Sequence, residues 1–140
     1  MLRKALQRTS LTSSHLSQNY TTAAKMTDTS KYKFNHSMLR IKDPKASVKF
    51  YEHLGMSVVE KKQFPDNKFD LYFLSYDSPK AASAGKHWTD REGIIELTHN
   101  YGTEDDPNYK PHNGNKQPQG FGHVCVSVDN IQVSGVYGLW

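Results

Sequence analysis

Only one stretch of this chain carries the period and the punctuation of a helix, and the apolar patterns around it are those of strands. In "DPKASVKFYEHLG", Asp43 stands where an N-cap belongs and Pro44 at the first helical position. Ser47, Val48, Tyr51 and Leu54 follow at helical spacing, and Gly55 supplies a C′ residue. Residues 33–43, 56–64, 68–76 and 93–99 alternate as strands, with "PDN" at 65–67 as a turn. The order is therefore strand, helix, strand, strand, strand, an α+β arrangement. One helix in a module of ~65 residues cannot cover both faces of a four-stranded sheet. The uncovered face must curl around something or pair with a second module.

Polar loops separate these elements at 77–92 and 100–119, the second without periodicity. A further strand is predicted over "GFGHVCVSVDN", 120–130, with Val124, Val126 and Val128 as its core face and Cys125 as a small buried residue. This segment repeats the form of the first strand: "FNHSMLRIKD" and "FGHVCVSVDN" each place a Phe two residues before a His and end near an acid suited to capping a helix. The repeat predicts a second module that has just begun. The organisation expected is a leader at 1–30, a first module at 31–102, a polar loop at 103–119, the opening strand of a second module at 120–132, and a tail at 133–140.

The 140 residues carry a net charge of +4, but its position matters more than its size. Arg3, Lys4, Arg8 and Lys25 all precede the first acid, Asp28, and without them 14 basic residues balance 14 acidic ones. A neutral body argues against a nucleic-acid partner, which favours a basic stripe on the folded surface. No apolar run approaches the ~20 residues of a membrane span. A single cysteine excludes an internal disulfide. The leader has no acid, is rich in Ser and Thr, and sets Leu2 and Leu6 one helical turn apart among Arg3, Lys4 and Arg8. That composition predicts a mitochondrial transit peptide, with a plain disordered tail as the alternative. A start at Met26 would give a cytosolic form.

Glu96 interrupts the apolar run Ile94, Ile95, Leu97, and an unpaired buried carboxylate is costly. Strand parity puts Glu96 with Ile94 and Thr98, His36 with Met38 and Arg40, and His123 with Phe121, Cys125 and Ser127. All three can face the concave side of a curled sheet. Imidazole and carboxylate are standard partners of a divalent metal. The three lie far apart in sequence and form no short metal motif, so a solvated face for Glu96 and surface positions for the histidines stay open. His99 has the opposite parity from Glu96 and is left out of the set.

With these residues in view, "FNHSMLRIKDPKASVKFYEHLGM", "KFDLYFLSY", "IELTHNYGTEDDPNY", "HNGN" and "GFGHVCVSV" together resemble the glyoxalase I (lactoylglutathione lyase) family, fungal type, from about Phe34 to about Ile131. The resemblance implies the vicinal-oxygen-chelate fold, paired βαβββ modules around a metal. It implies His36, Glu96 and His123 as metal ligands, Zn²⁺ as the metal, and Arg40 and Asn100 as residues that hold glutathione. The implied reaction isomerises the hemithioacetal of methylglyoxal and glutathione to S-lactoylglutathione, with a carboxylate as base and a metal stabilising the developing charge. Glu96 is the base available in this chain.

Two departures from the family pattern are visible. Gln119 stands where the family commonly has Arg, and no counterpart of the family's late Glu, a fourth ligand and the main base, is present. "VSGVYGLW", 133–140, does not resemble the helix that should follow, and "QVS" can be encoded as an exon end followed by a splice-donor sequence. The expectation is an incomplete form with little activity, prone to self-association through the missing module's interface. The rival functions are a non-catalytic small-molecule-binding module of the same fold and a non-haem iron oxygenase, since two His and one carboxylate also suit iron(II). Arg40 and Asn100 argue against the oxygenase.

Overall fold

A computed structural model describes residues 27–130. The chain divides into two units, residues 1–31 and 32–140. Of the first, only 27–31 are described, where Asp28 accepts a hydrogen bond of 2.9 Å from the Ser30 amide. The predicted transit peptide, Met26 and the tail from 131 onward lie outside the described residues.

The second unit runs β1 (His36–Ile41), α1 (Pro44–His53), β2 (Ser57–Phe64), β3 (Phe69–Ser75) and β4 (Ile94–Asn100). Short 3₁₀ turns fall at Pro65–Asn67 and Trp88–Asp90. The punctuation read from sequence acts as expected. The Asp43 carboxylate accepts from the amides of Lys45 (2.8 Å) and Ala46 (3.3 Å), two of the donors that a helix start leaves unpaired. Gly55 takes φ +85°, the left-handed conformation that ends a helix without a Cβ penalty.

The strands lie in the order β1-β4-β3-β2. β1 is parallel to β4, while β4 with β3 and β3 with β2 are antiparallel. The parallel pair needs a crossover, and α1 with the β2–β3 hairpin supplies it. The register sorts side chains onto two faces. Leu39, Ile41, Tyr72, Leu74, Ile95 and Leu97 point to the helix side, where Val48, Tyr51, Leu54 and Met56 pack on them; Leu74 and Leu97 are fully buried. The opposite face carries His36, Met38 and Arg40 from β1, Ile94, Glu96, Thr98 and Asn100 from β4, and Phe69, Leu71 and Phe73 from β3. No helix covers it among the described residues.

Polar clamps fix the loops. Arg91, buried, donates to the Lys86 carbonyl and to Asp77 Oδ1, each at 2.7 Å, and so gathers the loop between β3 and β4. Its guanidinium, helped by the Gly85 amide, holds the Asp77 carboxyl below its ordinary value. His99 is buried on the helix side and bonds Glu104 at 2.6 Å, closing the turn after β4.

The predicted fifth strand is corrected. Residues 120–130 form no strand; Phe121, Val124, Val126 and Val128 are exposed, and so is Cys125. Alternating valines confer the tendency to be a strand, but a strand exists only when a neighbour accepts its ladder. Among the described residues none does, so there is no core for the valines to face.

Candidate functional site

The open face of the sheet brings His36 and Glu96 together. Register pairs Met38 with Glu96 and His36 with Ile94, so the two are diagonal neighbours on parallel strands. His36 Nε2 lies 3.1 Å from Glu96 Oε2. Phe73 faces Glu96 from β3 and meets the imidazole edge-on, with centroids 5.6 Å apart. Trp88, from the loop before β4, covers Phe73 at 4.5 Å, and the Lys62 ammonium sits 4.5 Å from the indole. Phe73 is thereby 2% exposed although no helix among the described residues covers this face.

Both oxygens of Glu96 are engaged. Thr98 Oγ1 donates to Oε1 at 3.2 Å, and Oε2 faces His36. The carboxylate is only 13% exposed beside an aromatic wall, so its charge calls for a cation. The His36–Glu96 pair suits a divalent one. Two ligands bound at ~2.0–2.1 Å to one ion lie ~3.0 Å apart at a right angle and ~3.4 Å apart at the tetrahedral angle. The observed 3.1 Å falls in that interval. The described residues contain no group of three or more His, Cys, Asp or Glu able to hold a metal, so the pair supplies part of a ligand set.

His123 does not join them. It lies on no strand, in a groove lined from both faces of the sheet, by Ser37 and Ile95 of the helix side and by Ser75 and Ile94 of the open side. The expectation of a fifth strand that would carry it is therefore corrected, for the reason given above: no ladder forms there to set its direction. Arg40 and Asn100 do come together at the other end of the open face, where Arg40 Nη1 donates to Asn100 Oδ1 at 2.7 Å. Among the described residues no carboxylate pairs with Arg40.

Two neighbours of the site escaped the sequence reading. Asn35 Oδ1 lies 2.6 Å from His36 Nδ1, while Asn35 Nδ2 donates to the carbonyls of Trp88 and Arg91, both at 2.9 Å. Alternation along the strand groups Asn35 with the core residues Leu39 and Ile41; its place directly before a candidate ligand is the available signal. Trp88 sits in a polar loop whose sequence carries no hint of packing on a sheet.

A single helix on one face of a four-stranded mixed sheet, with a carboxylate–imidazole pair on the other, defines an α+β βαβββ module with a polar site on its open side. A family model described as "Glyoxalase/Bleomycin resistance protein/Dioxygenase superfamily" matches residues 33–132, and the chain belongs to that family. It is 50% identical over 106 residues to a lactoylglutathione lyase of Schizosaccharomyces pombe, covering 75% of this chain and 33% of that protein. It is likewise 50% identical over 99 residues to glyoxalase I of Saccharomyces cerevisiae, covering 70% of this chain and 29% of that one. A lactoylglutathione lyase of Pseudomonas aeruginosa is 46% identical over 110 residues, covering 74% and 61%. The chain thus spans about a third of the length of the yeast relatives it matches and about three-fifths of the bacterial one.

Proposed function

We propose that this chain carries one half of a glyoxalase I site and that the whole protein isomerises the hemithioacetal of methylglyoxal and glutathione to S-lactoylglutathione. The observation that carries the reading is the approach of His36 Nε2 to Glu96 Oε2 at 3.1 Å on a face that ends in Arg40 and Asn100. His36 and Glu96 would hold a divalent metal, Zn²⁺ being the choice for an imidazole–carboxylate set, with His123 supplied to a site completed by another module or chain. When bound, the metal supplies charge stabilisation at adjacent substrate oxygens. Glu96, whose Oε1 accepts from Thr98 and whose Oε2 faces His36, is the carboxylate of this face that would accept a carbon-bound proton. The Arg40 fork matches a carboxylate, and the Asn100 amide can bond a peptide backbone. Four residues of strand separate His36 from Arg40, roughly 13 Å, which is of the order of a short peptide's reach, about 10 Å for three residues.

Binding tests this reading in the 140-residue chain. Calorimetric titration with an S-alkyl glutathione in the presence of Zn²⁺ is expected to show binding that Arg40→Ala weakens about tenfold or more. No binding, or binding indifferent to Arg40, would overturn it. Catalysis by this chain alone is expected to be absent: with Zn²⁺, glutathione and methylglyoxal, thioester should form no faster than without protein, because only His36 and Glu96 converge among the described residues. We further propose that residues 1–30 direct the protein to mitochondria. A fluorescent reporter fused to that leader should collect there, and a diffuse signal would refute the targeting. Self-association through the open face completes the proposal and is tested below.

A further inference from the structure

The Asn35 side chain makes three hydrogen bonds, and two of them dictate the third. Its Nδ2 sits 2.9 Å from both the Trp88 and the Arg91 carbonyl oxygens. Carbonyls only accept, so the amide's two N–H groups are both committed to them and the amide orientation is determined. Oδ1 is then an obligate acceptor, and it lies 2.6 Å from His36 Nδ1. That contact is satisfied only when Nδ1 carries a hydrogen. In the neutral imidazole the lone pair must then reside on Nε2, the atom 3.1 Å from Glu96 Oε2.

We propose that Asn35 is a positioning residue that holds His36 as the Nδ1–H tautomer, so that Nε2 presents a lone pair beside the Glu96 carboxylate. The metal part of this inference rests on the reading of His36 as a ligand; the tautomer does not. In the neutral ring two electron pairs face each other at this distance and repel, and either a proton on Nε2, shared with Glu96, or a metal ion between the two groups relieves that repulsion. With Nδ1–H held by Asn35, Nε2 is the nitrogen left to take a metal ion in place of that proton. Free imidazole has no such bias toward Nδ1–H, and a ring held by the wrong nitrogen would turn an N–H toward the ion. Asn35 also joins the site to the loop between β3 and β4. Its Trp88 partner is the residue that covers Phe73, so the bonds that orient the amide also hold the aromatic wall beside Glu96.

The test uses the full 140-residue chain, metal-free and ¹⁵N-labelled, with imidazole tautomers read from long-range ¹⁵N–¹H correlation at alkaline pH. Wild-type His36 should show Nδ1–H. Asn35→Ala should shift it toward Nε2–H, and Asn35→Asp, whose carboxylate still accepts, should keep Nδ1–H although it cannot donate to Trp88 and Arg91. Competition of Zn²⁺ with a chromophoric chelator should show affinity about 10–100-fold lower in Asn35→Ala, and closer to wild type in Asn35→Asp. An Nε2–H imidazole in the wild type, or Nδ1–H retained in Asn35→Ala, would overturn the assignment. Equal loss of Zn²⁺ affinity in both variants would also overturn it, since a mere loop tether fails alike in both. His36→Ala separates the two readings: unchanged affinity there refutes His36 as a ligand and leaves the tautomer result to stand on its own spectra.

Discussion

Glu96 and Asp70 are both shielded carboxylates in this sheet, and their surroundings differ in kind. Asp70, on the helix-side parity of β3, has its charge met inside the chain: Tyr101 donates at 2.5 Å, Gln63 at 3.4 Å, and Lys61 lies at 3.3 Å. Burial is the strongest single influence on it and pushes its pKa upward, but Tyr101, Lys61 and Gln63 together hold it below the ordinary 3.8. The native value is thus the depressed one. Its stabilising contribution is complete above the unfolded value and is lost as pH falls through the native value. Urea unfolding followed from about pH 6 to about pH 2 should show a falling acid limb in the wild type and a flatter one in Asp70→Asn. An equally steep limb in the variant would assign the effect elsewhere. Among the described residues Glu96 has no such cation beside it, only the imidazole of His36. Glu96→Gln, which keeps shape and removes charge, should therefore lower Zn²⁺ affinity by more than the ~10–100-fold typical of losing an orienting partner, as chelator competition can measure.

Among the elements, α1 was the most legible because its signals are local. Asp43, Pro44 and Gly55 act through bonds and torsions within a few residues of themselves, so sequence order is enough to read them. Asp43→Ala should cost about 1 kcal/mol by urea unfolding, the usual worth of a cap. Gly55→Ala should cost ~1–2 kcal/mol. A Cβ there would meet Tyr76 Cε1 at an ordinary 3.7 Å, so the penalty is conformational and not steric. A stability unchanged in Gly55→Ala would show that the turn relaxes. β1 to β4 were legible in kind, since alternation of apolar residues is also local. The segment 120–130 shows the limit of such reading. Val124, Val126 and Val128 carry the same alternation as a true strand, yet they stand 39–42% exposed without a ladder.

At the scale of the whole molecule, the described residues leave the sheet with one covered and one open face. Met38 is 47% exposed on that open face and lies on an edge strand, an arrangement that favours association with another chain. Sedimentation velocity should show a sedimentation coefficient that rises with concentration. Met38→Lys, which places a charge on the edge, should suppress the rise. A coefficient independent of concentration in the wild type would remove self-association from the proposal.

Sequence alone was sufficient for the helix and its caps, for strand parity, and so for the prediction that His36 can share a face with Glu96 across strands. Parity is a property of the backbone repeat and needs no partner. What tertiary structure decided was everything that depends on which strand lies beside which. The β1–β4 pairing, between segments more than fifty residues apart, set the 3.1 Å approach of His36 to Glu96 and joined Arg40 to Asn100. It also brought Asn35 beneath the loop carbonyls that orient its amide. The same dependence explains His123: its direction needed a neighbouring strand, and no such neighbour exists among the described residues.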